Sequence, residues 1–470
     1  MKQKIKIVAT IGPVSAKPNM LKKMYKAGMS IARLNGSHNT LDWHSKTIKL
    51  IKDIIPDCPI LLDIPGKKIR TIKLIIEPEF KKNNILILTT SPGHYGEKKI
   101  SITNQSLHIF LKKGDILYAD DGTLKFTVIK VIKKDIYIKA NVSGKLRSSK
   151  GINVPHVNIS GNLITDRDKK MIAFAEKNKV DFIGLSFIES GDHLKKIRKL
   201  IKKNIPKLIA KVENQRGLDN LDSIVKNTDC IMIDRGDLST ETSIEMLAIN
   251  QKKIISCAKN NAIPVIVATE MLDNMIKNPY PTKAEVLDIY NSVGDGATAT
   301  MLSGETAVGN FPINAIQVMN NIAHINLKKE KIIKKNISNI EYRGMALAIK
   351  NLCDFLPITK VVAITVTGFA ARIVSSHDLN CPILAVTNNK ELAKSFNIFL
   401  GTKGIYFNTK FFKNNVEHIP KCINHLWKLR EITDQDMILV VALGYPSSGR
   451  RMNFIQTHYV RDLKKIFCWK

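Results

Sequence analysis

The chain has 470 residues, which is enough for about two to four domains with a large buried core. Its hydrophobic content of 44% and charged content of 24% are ordinary for a globular protein, and no apolar run approaches the roughly 18 residues of a membrane span. The net charge of +32 comes from lysines spread along the whole chain, without basic stretches interleaved with aromatic residues, so we expect no nucleic acid and no membrane as a partner.

The first segment alternates predicted strands with amphipathic helices. We expect strands at Lys6–Thr10, Ser30–Asn35 and Pro59–Asp63, separated by helices near Lys17–Ala27 and Leu41–Ile54. This rhythm stops after the third strand.

From about 71 to 155 the pattern changes to short β-rich runs that are separated by turns. The clearest predicted strands are Asn84–Thr90, Asp115–Tyr118 and Asp135–Val142, and Lys113-Gly114-Asp115 is typical of a turn. These features predict a small β domain inserted after the third strand.

The strand and helix alternation resumes after about 159. The predicted elements are, in order, helix Asp166–Asn178, strand Val180–Phe187, helix His193–Lys203, strand Leu208–Val212, helix Gly217–Lys226, strand Cys230–Asp234, helix Ile244–Asn260, strand Pro264–Ala268, helix Thr282–Asn291, strand Thr298–Leu302 and a helix from Pro312. About eight successive βα units indicate a (β/α)8 TIM barrel.

A third region begins near 330 and contains a helical stretch and three buried strands. We expect the helix near Leu347–Leu352 and strands at Val361–Thr365, Ile383–Val386 and Met437–Val441, with Lys328–Asn339 as a linker. The predicted domains are therefore the barrel at 1–70 and 156–330, an inserted small β-barrel domain at 71–155, and a C-terminal α/β domain at 331–470.

Charged side chains stand at the ends of several predicted barrel strands, where the chemistry of such barrels collects. The pairs spaced two apart, whose members point the same way, are Arg33 and Asn35, Lys211 and Glu213, and Arg235 and Asp237, with Ser37, Asp63 and Thr269 at similar positions. Arginines bind phosphate oxygens, paired carboxylates suit Mg²⁺, and a lysine suits phosphoryl transfer. Together these strand-end residues, which we call the ring, predict a phosphorylated acid and a divalent metal as ligands.

By these residues the sequence resembles the pyruvate kinase family over nearly its whole length. The matching segments are Lys6–Pro13, Ala32–His38, Ile209–Asn214, Arg235–Leu238, Val267–Leu272, Asn278–Pro279, Pro281–Glu285 and Met301–Ala307. The resemblance implies transfer of the phosphoryl group of phosphoenolpyruvate to ADP, giving pyruvate and ATP. It also implies Mg²⁺ as cofactor, with Mn²⁺ as a substitute, a homotetramer, and an inserted domain that closes over the nucleotide.

The resemblance also implies roles for individual residues. Lys211 would stabilise the transition state, Arg33 would bind the phosphoryl group, Thr269 would lie near the carbon that receives a proton, Glu213 and Asp237 would hold Mg²⁺, and Gly236 would donate its backbone N–H to the substrate carboxylate. The implied nucleotide contacts are Asn35, His38, Arg70 and Lys150. The implied K⁺ ligands are Asn35, Ser37, Asp63 and the carbonyl of Ile64.

Several residues depart from the family pattern, namely Gly36, Lys68, Asp234, Ser239, Thr240 and Thr298, and together they suggest an enzyme with relaxed constraint. Lys68 stands where many members carry Glu, and its ammonium could take the electrostatic role of K⁺, so we hypothesise weak or absent K⁺ dependence; the alternative is that Lys68 points to solvent. Asp234 replaces a small apolar residue, and an extra carboxylate there would cost substrate affinity unless it pairs with a cation.

The segment Thr365–Arg372 resembles the sugar-phosphate effector loop of the family. Phe369 and Ala370 stand where a basic and a hydroxyl residue are usual, and such donors are what bind phosphate. We expect weakened or lost activation by fructose 1,6-bisphosphate, with Arg450 and Arg451 as a source of residual anion binding.

Three other functions stay open from the sequence: a catalytically impaired paralogue with a regulatory role, another phosphoenolpyruvate-handling barrel, and a nucleic-acid binder. The seven cysteines form no CxxC pair and are odd in number, so we expect reduced thiols. Because the N-terminus also lacks the apolar region of a signal peptide, a cytoplasmic location is expected.

Overall fold

The computed structural model describes residues 4–120, 122–155, 157, 163–203, 205–326, 340–412, 415–442 and 452–469. Within these residues, no helix combines the length and the apolar character that crossing a bilayer requires. The predicted linker at 328–339 and the basic pair at 450–451 lie outside the described ranges.

The first three barrel strands and two helices lie close to their predicted positions. They are β1 Lys6–Thr10, α1 Pro18–Ala27, β2 Met29–Asn35, α2 Leu41–Ile54 and β3 Ile60–Ile64. All residues of β1 and β3 are buried, as expected for parallel strands that are covered on both faces.

The inserted segment forms a β domain with its own apolar core, in which all strand pairs of the described residues are antiparallel except β6 with β7. Its elements are β4 Ile69–Arg70, β5 Glu79–Phe80, β6 Ile85–Thr89, β7 Ile100–Ser101, α3 Leu107–Phe110, β8 Ile116–Ala119, β9 Leu124–Ile132, β10 Asp135–Ala140, β11 Gly144–Lys145 and β12 Gly151–Asn153. The strand order is β4-β12-β8-β9-β10-β6-β7, and a bridge between Thr71 and Ile102 joins the two edges. The sheet therefore curls into the small barrel that the sequence predicts.

The second part of the chain completes the large barrel. Its elements are α4 Asp166–Lys177, β13 Phe182–Leu185, α5 Gly191–Arg198, β14 Lys207–Val212, α6 Gln215–Asp219, α7 Leu221–Val225, β15 Cys230–Asp234, α8 Arg235–Glu241, α9 Leu247–Asn260, β16 Val265–Ala268, α10 Lys283–Asp295, β17 Ala299–Leu302, α11 Gly304–Ala307 and α12 Pro312–Asn326. The predicted helix Gly217–Lys226 is two short helices, α6 and α7, because a break at Asn220 interrupts it.

Eight parallel strands close the barrel in the order β1-β17-β16-β15-β14-β13-β3-β2. Alternate side chains such as Val8, Leu61 and Met232 fill its interior, whereas their neighbours pack against the surrounding helices. The predicted TIM barrel with an inserted β domain is confirmed.

The C-terminal region is a separate α/β domain. Its elements are α13 Ile340–Phe355, β18 Lys360–Ile364, α14 Phe369–Ser375, β19 Ile383–Thr387, α15 Lys390–Ala393, β20 Thr402–Tyr406, α16 His418–Lys428, β21 Met437–Ala442, β22 Phe454–Tyr459 and α17 Val460–Ile466. The sheet order is β20-β19-β18-β21-β22, with β22 antiparallel at one edge. The domain boundaries drawn from the sequence stay a prediction.

Candidate active site

The barrel brings the predicted site residues together at one rim. Arg33 and Asn35 end β2, Asp63 lies near the end of β3, Lys211 lies near the end of β14, and Thr269 follows β16. Because all eight strands are parallel and closed into one barrel, their carboxyl ends meet at a single opening.

Lys211 occupies the centre of this rim and is 5% exposed. Its Nζ lies 3.0 Å from Oγ of Ser186, 3.0 Å from Oδ2 of Asp234, 3.2 Å from Oε2 of Glu213 and 3.7 Å from Oδ2 of Asp63. Burial on its own lowers the pKa of Lys211, but these three carboxylates outweigh it and hold the pKa well above the usual value. The ammonium therefore stays charged at neutral pH.

A cluster of buried carboxylates surrounds the lysine. The closest oxygens of Glu213, Asp234 and Asp237 all lie within 4.8 Å of one another. Oε1 of Glu213 accepts a hydrogen bond of 2.7 Å from the N–H of Phe187, whereas its Oε2 accepts none from any described residue.

Burial raises the pKa of Glu213, and the neighbouring Asp234 and Asp237 raise it further against the opposing effect of Lys211. A divalent cation would reverse this shift, since it favours ionised carboxylates. Crowded, buried carboxylate oxygens are suitable ligands for a hard divalent ion, so the residues fit the metal that the sequence predicts.

Lys68 reaches this cluster from the start of the inserted domain. Its Nζ lies 2.5 Å from Oδ1 of Asp237, which also accepts a 3.3 Å hydrogen bond from Nδ2 of Asn153. The side chain of Lys68 is 12% exposed, so the alternative that it points to solvent is wrong. A Cβ on Gly151 would lie 2.4 Å from Cε of Lys68, so a larger residue at position 151 would require the lysine side chain to shift.

Arg33 is tied to the neighbouring strand. Its Nε and Nη2 donate to Oδ2 of Asp63 at 3.0 and 2.6 Å, and its Nη1 donates to Oγ1 of Thr10 at 2.9 Å. Oδ1 of Asp63 is buried and accepts no hydrogen bond from the described part of the chain. Asn35 is the register partner of Asp63, so two of the predicted K⁺ ligands lie side by side.

The turn after β16 has a strained backbone. Thr269 and Glu270 have φ angles of 69° and 52°, in the left-handed region that residues other than glycine seldom adopt. Nη2 of Arg235 donates to the carbonyl oxygens of Thr269 and Glu270 at 2.6 and 3.0 Å, and its Nη1 lies 2.5 Å from Oδ2 of Asp288. Arg235 therefore holds this turn instead of facing the ring as the sequence pattern indicated.

The turn also holds the backbone of Gly236. The N–H of Gly236 donates a 3.0 Å hydrogen bond to Oγ1 of Thr269, whose hydroxyl donates to the carbonyl of Ala268 at 2.6 Å. The group predicted to bind the substrate carboxylate and the residue predicted to lie beside the reacting carbon are thus in direct contact.

The predicted nucleotide residues gather where the barrel meets the inserted domain. Nη1 of Arg70 donates to the carbonyl of Ser149 at 2.9 Å, and Nζ of Lys150 lies 2.7 Å from Oδ1 of Asp120. Burial lowers the pKa of His38, and the nearby charges of Arg70, Arg33 and Lys150 lower it further. These cations give the cleft a positive side that is suited to a polyphosphate.

Three residues that contact the site were not predicted from the sequence. Ser186 contacts Lys211, Thr10 contacts Arg33, and Asn153 contacts Asp237. Thr10 and Ser186 stand at or just after the ends of barrel strands, which is a usable signal, whereas Asn153 lies on the inserted domain and has no local signal.

Comparisons with known proteins agree with this geometry. Residues 2–316 match the family model described as pyruvate kinase, barrel domain, and residues 344–458 match pyruvate kinase, alpha/beta domain. A curated pyruvate kinase of Clostridium perfringens is 34% identical over 95% of this chain and 97% of its own length, and that of Thermotoga maritima is 34% identical over 96% and 98%. The crystal structure of a pyruvate kinase from Cryptosporidium parvum superposes with a TM-score of 0.85 at 30% identity, covering 97% of this chain and 96% of its own.

Proposed function

Because this chain belongs to the pyruvate kinase family, we propose that the rim residues described above perform the reaction of that family. The enzyme is a phosphotransferase that converts phosphoenolpyruvate and ADP to pyruvate and ATP, the last step of glycolysis. The buried ammonium of Lys211 lies among the carboxylates of Asp63, Glu213 and Asp234, and this arrangement is the main support for the roles assigned to the rim residues.

In the first step a β-phosphate oxygen of ADP attacks the phosphorus of phosphoenolpyruvate, and the bond between phosphorus and the enol oxygen breaks. Lys211 is buried and charged at neutral pH, so it offsets the negative charge that spreads over the transferring group. Arg33 binds the phosphoryl oxygens, held in place by Asp63 and Thr10.

In the second step the enolate of pyruvate takes up a proton at its methylene carbon. Thr269 lies beside that carbon, and Gly236 binds the carboxylate of the substrate through its backbone N–H. Arg235 holds Thr269 in position through its hydrogen bond to the strained turn after β16, and Thr269 in turn contacts Gly236.

Glu213 and Asp237 hold the divalent cation, which is Mg²⁺, with Mn²⁺ as a substitute. When bound, this ion supplies positive charge to the oxygens of the substrate. Lys68 brings a further single positive charge into the same ring, which supports weak or absent K⁺ dependence. Any bound K⁺ would use Asn35, Ser37, Asp63 and the Ile64 carbonyl, of which Asp63 offers a free buried oxygen within the described residues.

The nucleotide occupies the cleft beside Asn35, His38, Arg70 and Lys150. The inserted domain closes over it and excludes water from the reaction, as lids of phosphoryl-transfer enzymes do. Arg70 ends β4 and Lys150 directly precedes β12, and these two paired strands lie where the inserted domain joins the barrel, which supports a change in the position of both cations on closure.

The enzyme assembles as a homotetramer in the cytoplasm. Exposed apolar side chains lie on neighbouring elements of the barrel, with Ile244 70%, Tyr280 74% and Leu287 61% exposed, and β22 is an edge strand. Both features suit contacts between copies. Sedimentation equilibrium tests the assembly, and a monomeric mass would contradict it.

The state of the cysteines supports the cytoplasmic location. None of the seven cysteines forms a disulfide bond, as is usual in a reducing compartment.

Phosphorus NMR of the purified chain with phosphoenolpyruvate, ADP and Mg²⁺ tests the proposed function. We expect the phosphoenolpyruvate signal to be replaced by the γ-phosphate signal of ATP. Release of inorganic phosphate instead would indicate another phosphoenolpyruvate-handling barrel. No reaction from a folded protein would indicate the impaired paralogue, which the joint presence of Lys211, Glu213, Asp237, Thr269 and Arg33 at one rim disfavours.

A further inference from the structure

We propose that Asp234 is a third carboxylate of the divalent-metal site and that it compensates for the charge that Lys68 places on Asp237. The inference rests on the proposed function, because it assumes that Glu213 and Asp237 hold the ion. It adds a ligand at a position where the resembling family carries a small apolar residue.

Lys68 reduces what Asp237 can offer to a metal. Its ammonium lies 2.5 Å from Oδ1 of Asp237, and Asn153 donates to that same oxygen at 3.3 Å. An ammonium at this distance offsets part of the attraction of the carboxylate for a divalent ion, so the ion would meet a weaker ligand.

Asp234 lies where its carboxylate can restore negative charge to the metal site. It ends β15, three residues before Asp237 in the first turn of α8, and its side chain is 11% exposed. Its carboxylate lies within 4.8 Å of ligand atoms of both Glu213 and Asp237. Lys68 carries one positive charge and Asp234 one negative charge, so Asp234 supplies negative charge to the metal site beside the carboxylate that Lys68 contacts.

A second observation points to a cation at this place. Glu213 is fully buried, and its Oε2 accepts no hydrogen bond from any residue that the structure describes. A buried carboxylate oxygen without a donor is costly unless a cation is near, and Lys211 is the cation that it contacts at 3.2 Å. A divalent ion among Glu213, Asp234 and Asp237 would satisfy the same oxygen.

Asp234 also contacts Lys211 at 3.0 Å, so a role in holding the lysine is the competing explanation. The two roles differ in a measurable way. Removing a charge that acts only through Lys211 also alters the affinity for the ion, because Lys211 lies 3.2 Å from Glu213, but it leaves the number of waters on the bound ion unchanged. Removing a direct ligand adds a water to the ion, and broadening of the Mn²⁺ resonance in H₂¹⁷O measures this number. An unchanged number of waters in Asp234→Ala would refute the proposal.

The experiment measures Mn²⁺ binding to the full-length, substrate-free protein by electron paramagnetic resonance. Asp234→Asn and Asp234→Ala should each weaken Mn²⁺ binding by about tenfold or more. Lys68→Gln should tighten it, and Lys68→Gln in the Asp234→Ala background should recover most of the loss. Asp229→Asn, at the opposite end of the barrel, is the matched control and should leave the affinity unchanged. Thermal unfolding confirms that each variant is folded.

Glu213→Gln tests the metal site separately from the role of Asp234 in it. If it weakens Mn²⁺ binding while both Asp234 variants stay within about twofold of the parent, the role of Asp234 is refuted and the metal site stands. If Glu213→Gln has no effect either, the proposed metal site itself is refuted.

Discussion

Nη2 of Arg235 donates a 2.6 Å hydrogen bond to the main-chain oxygen of Thr269, so an arginine fixes the residue proposed to lie beside the carbon that takes up a proton. The same guanidinium is anchored by Asp288 on α10. The strained turn is thus held from a helix of the outer ring.

Replacing Arg235 by lysine should slow the reaction while leaving the fold intact. An ammonium cannot bind Thr269, Glu270 and Asp288 in the planar geometry of a guanidinium. We expect kcat to fall by about 100-fold, because a displacement of about 1 Å in a positioned group has an effect of that size. The exchange of pyruvate methyl protons with D₂O, followed by proton NMR, should fall in parallel. Arg198→Lys, in an exposed ion pair with Asp229, is the control; equal kinetics of both variants would contradict the role of Arg235.

Lys68 should set the response to K⁺. The parent enzyme should show little change in pyruvate formation when K⁺ replaces tetramethylammonium, since Lys68 already supplies a positive charge next to Asp237. Lys68→Glu should be activated by K⁺ about tenfold or more, because the ring then lacks that charge. Lys67→Gln is the matched control, since Lys67 pairs with Glu189 away from the carboxylate cluster. Many-fold activation of the parent by K⁺ would refute the hypothesis.

Fructose 1,6-bisphosphate should have little effect on saturation by phosphoenolpyruvate. Phe369 begins α14 directly after Gly368, at a position where the resembling family usually carries a basic residue, and its ring lies 5.7 Å from the guanidinium carbon of Arg372. Sigmoidal curves that become hyperbolic with the sugar bisphosphate would contradict this expectation. The basic residues 450 and 451 fall outside the described ranges, so their contribution stays a prediction.

Asp181 should make stability depend on pH. Burial raises its pKa from 3.8 to about 6, against the hydrogen bond that its Oδ2 accepts from the N–H of Ile60 at 2.8 Å. Between these two values the folded protein binds the proton more tightly than the unfolded chain, so the free energy of unfolding falls as pH rises through this interval. The full effect, about 3 kcal/mol, is reached above pH 6.

Asp181→Asn keeps an acceptor for Ile60 but cannot ionise. The difference in unfolding free energy between this variant and the parent, measured in urea, should shift in favour of the variant as pH rises from about 4 to about 7. A difference that is the same at every pH would show that Asp181 does not titrate as its burial implies.

Much of the architecture could be predicted from periodicity. The buried runs β1 and β3 and the helices between them start and end within one or two residues of expectation, since continuous apolar strands and amphipathic helices are strong local signals. Helix α16 was not predicted although it is strongly amphipathic, with Ile419, Cys422, Ile423 and Leu426 on its buried face. Strand β22 was not predicted because it is a largely exposed edge strand without a buried apolar run.

The membership of the site could also be predicted, but not the partner of each side chain. Arg33 and Lys211 stand at the rim, as their positions near strand ends indicate. Whether an arginine faces a ligand depends on residues distant in sequence. Arg235, for example, forms an ion pair with Asp288, which is 53 residues away. The contact between Lys68 and Asp237 likewise spans 169 residues and depends on the path left open by Gly151.

Pyruvate formation by the parent enzyme and by Lys211→Met, with phosphoenolpyruvate, ADP and Mg²⁺, tests the central claim most directly. The side chains are similar in volume, and Lys207→Met on the same strand is the control, since Lys207 lies at the opposite end of β14. We expect the parent and Lys207→Met to turn over, and Lys211→Met to lose about 100-fold to 1,000-fold in kcat, as when a preorganised electrostatic contact is removed. Similar turnover of all three proteins would contradict the account.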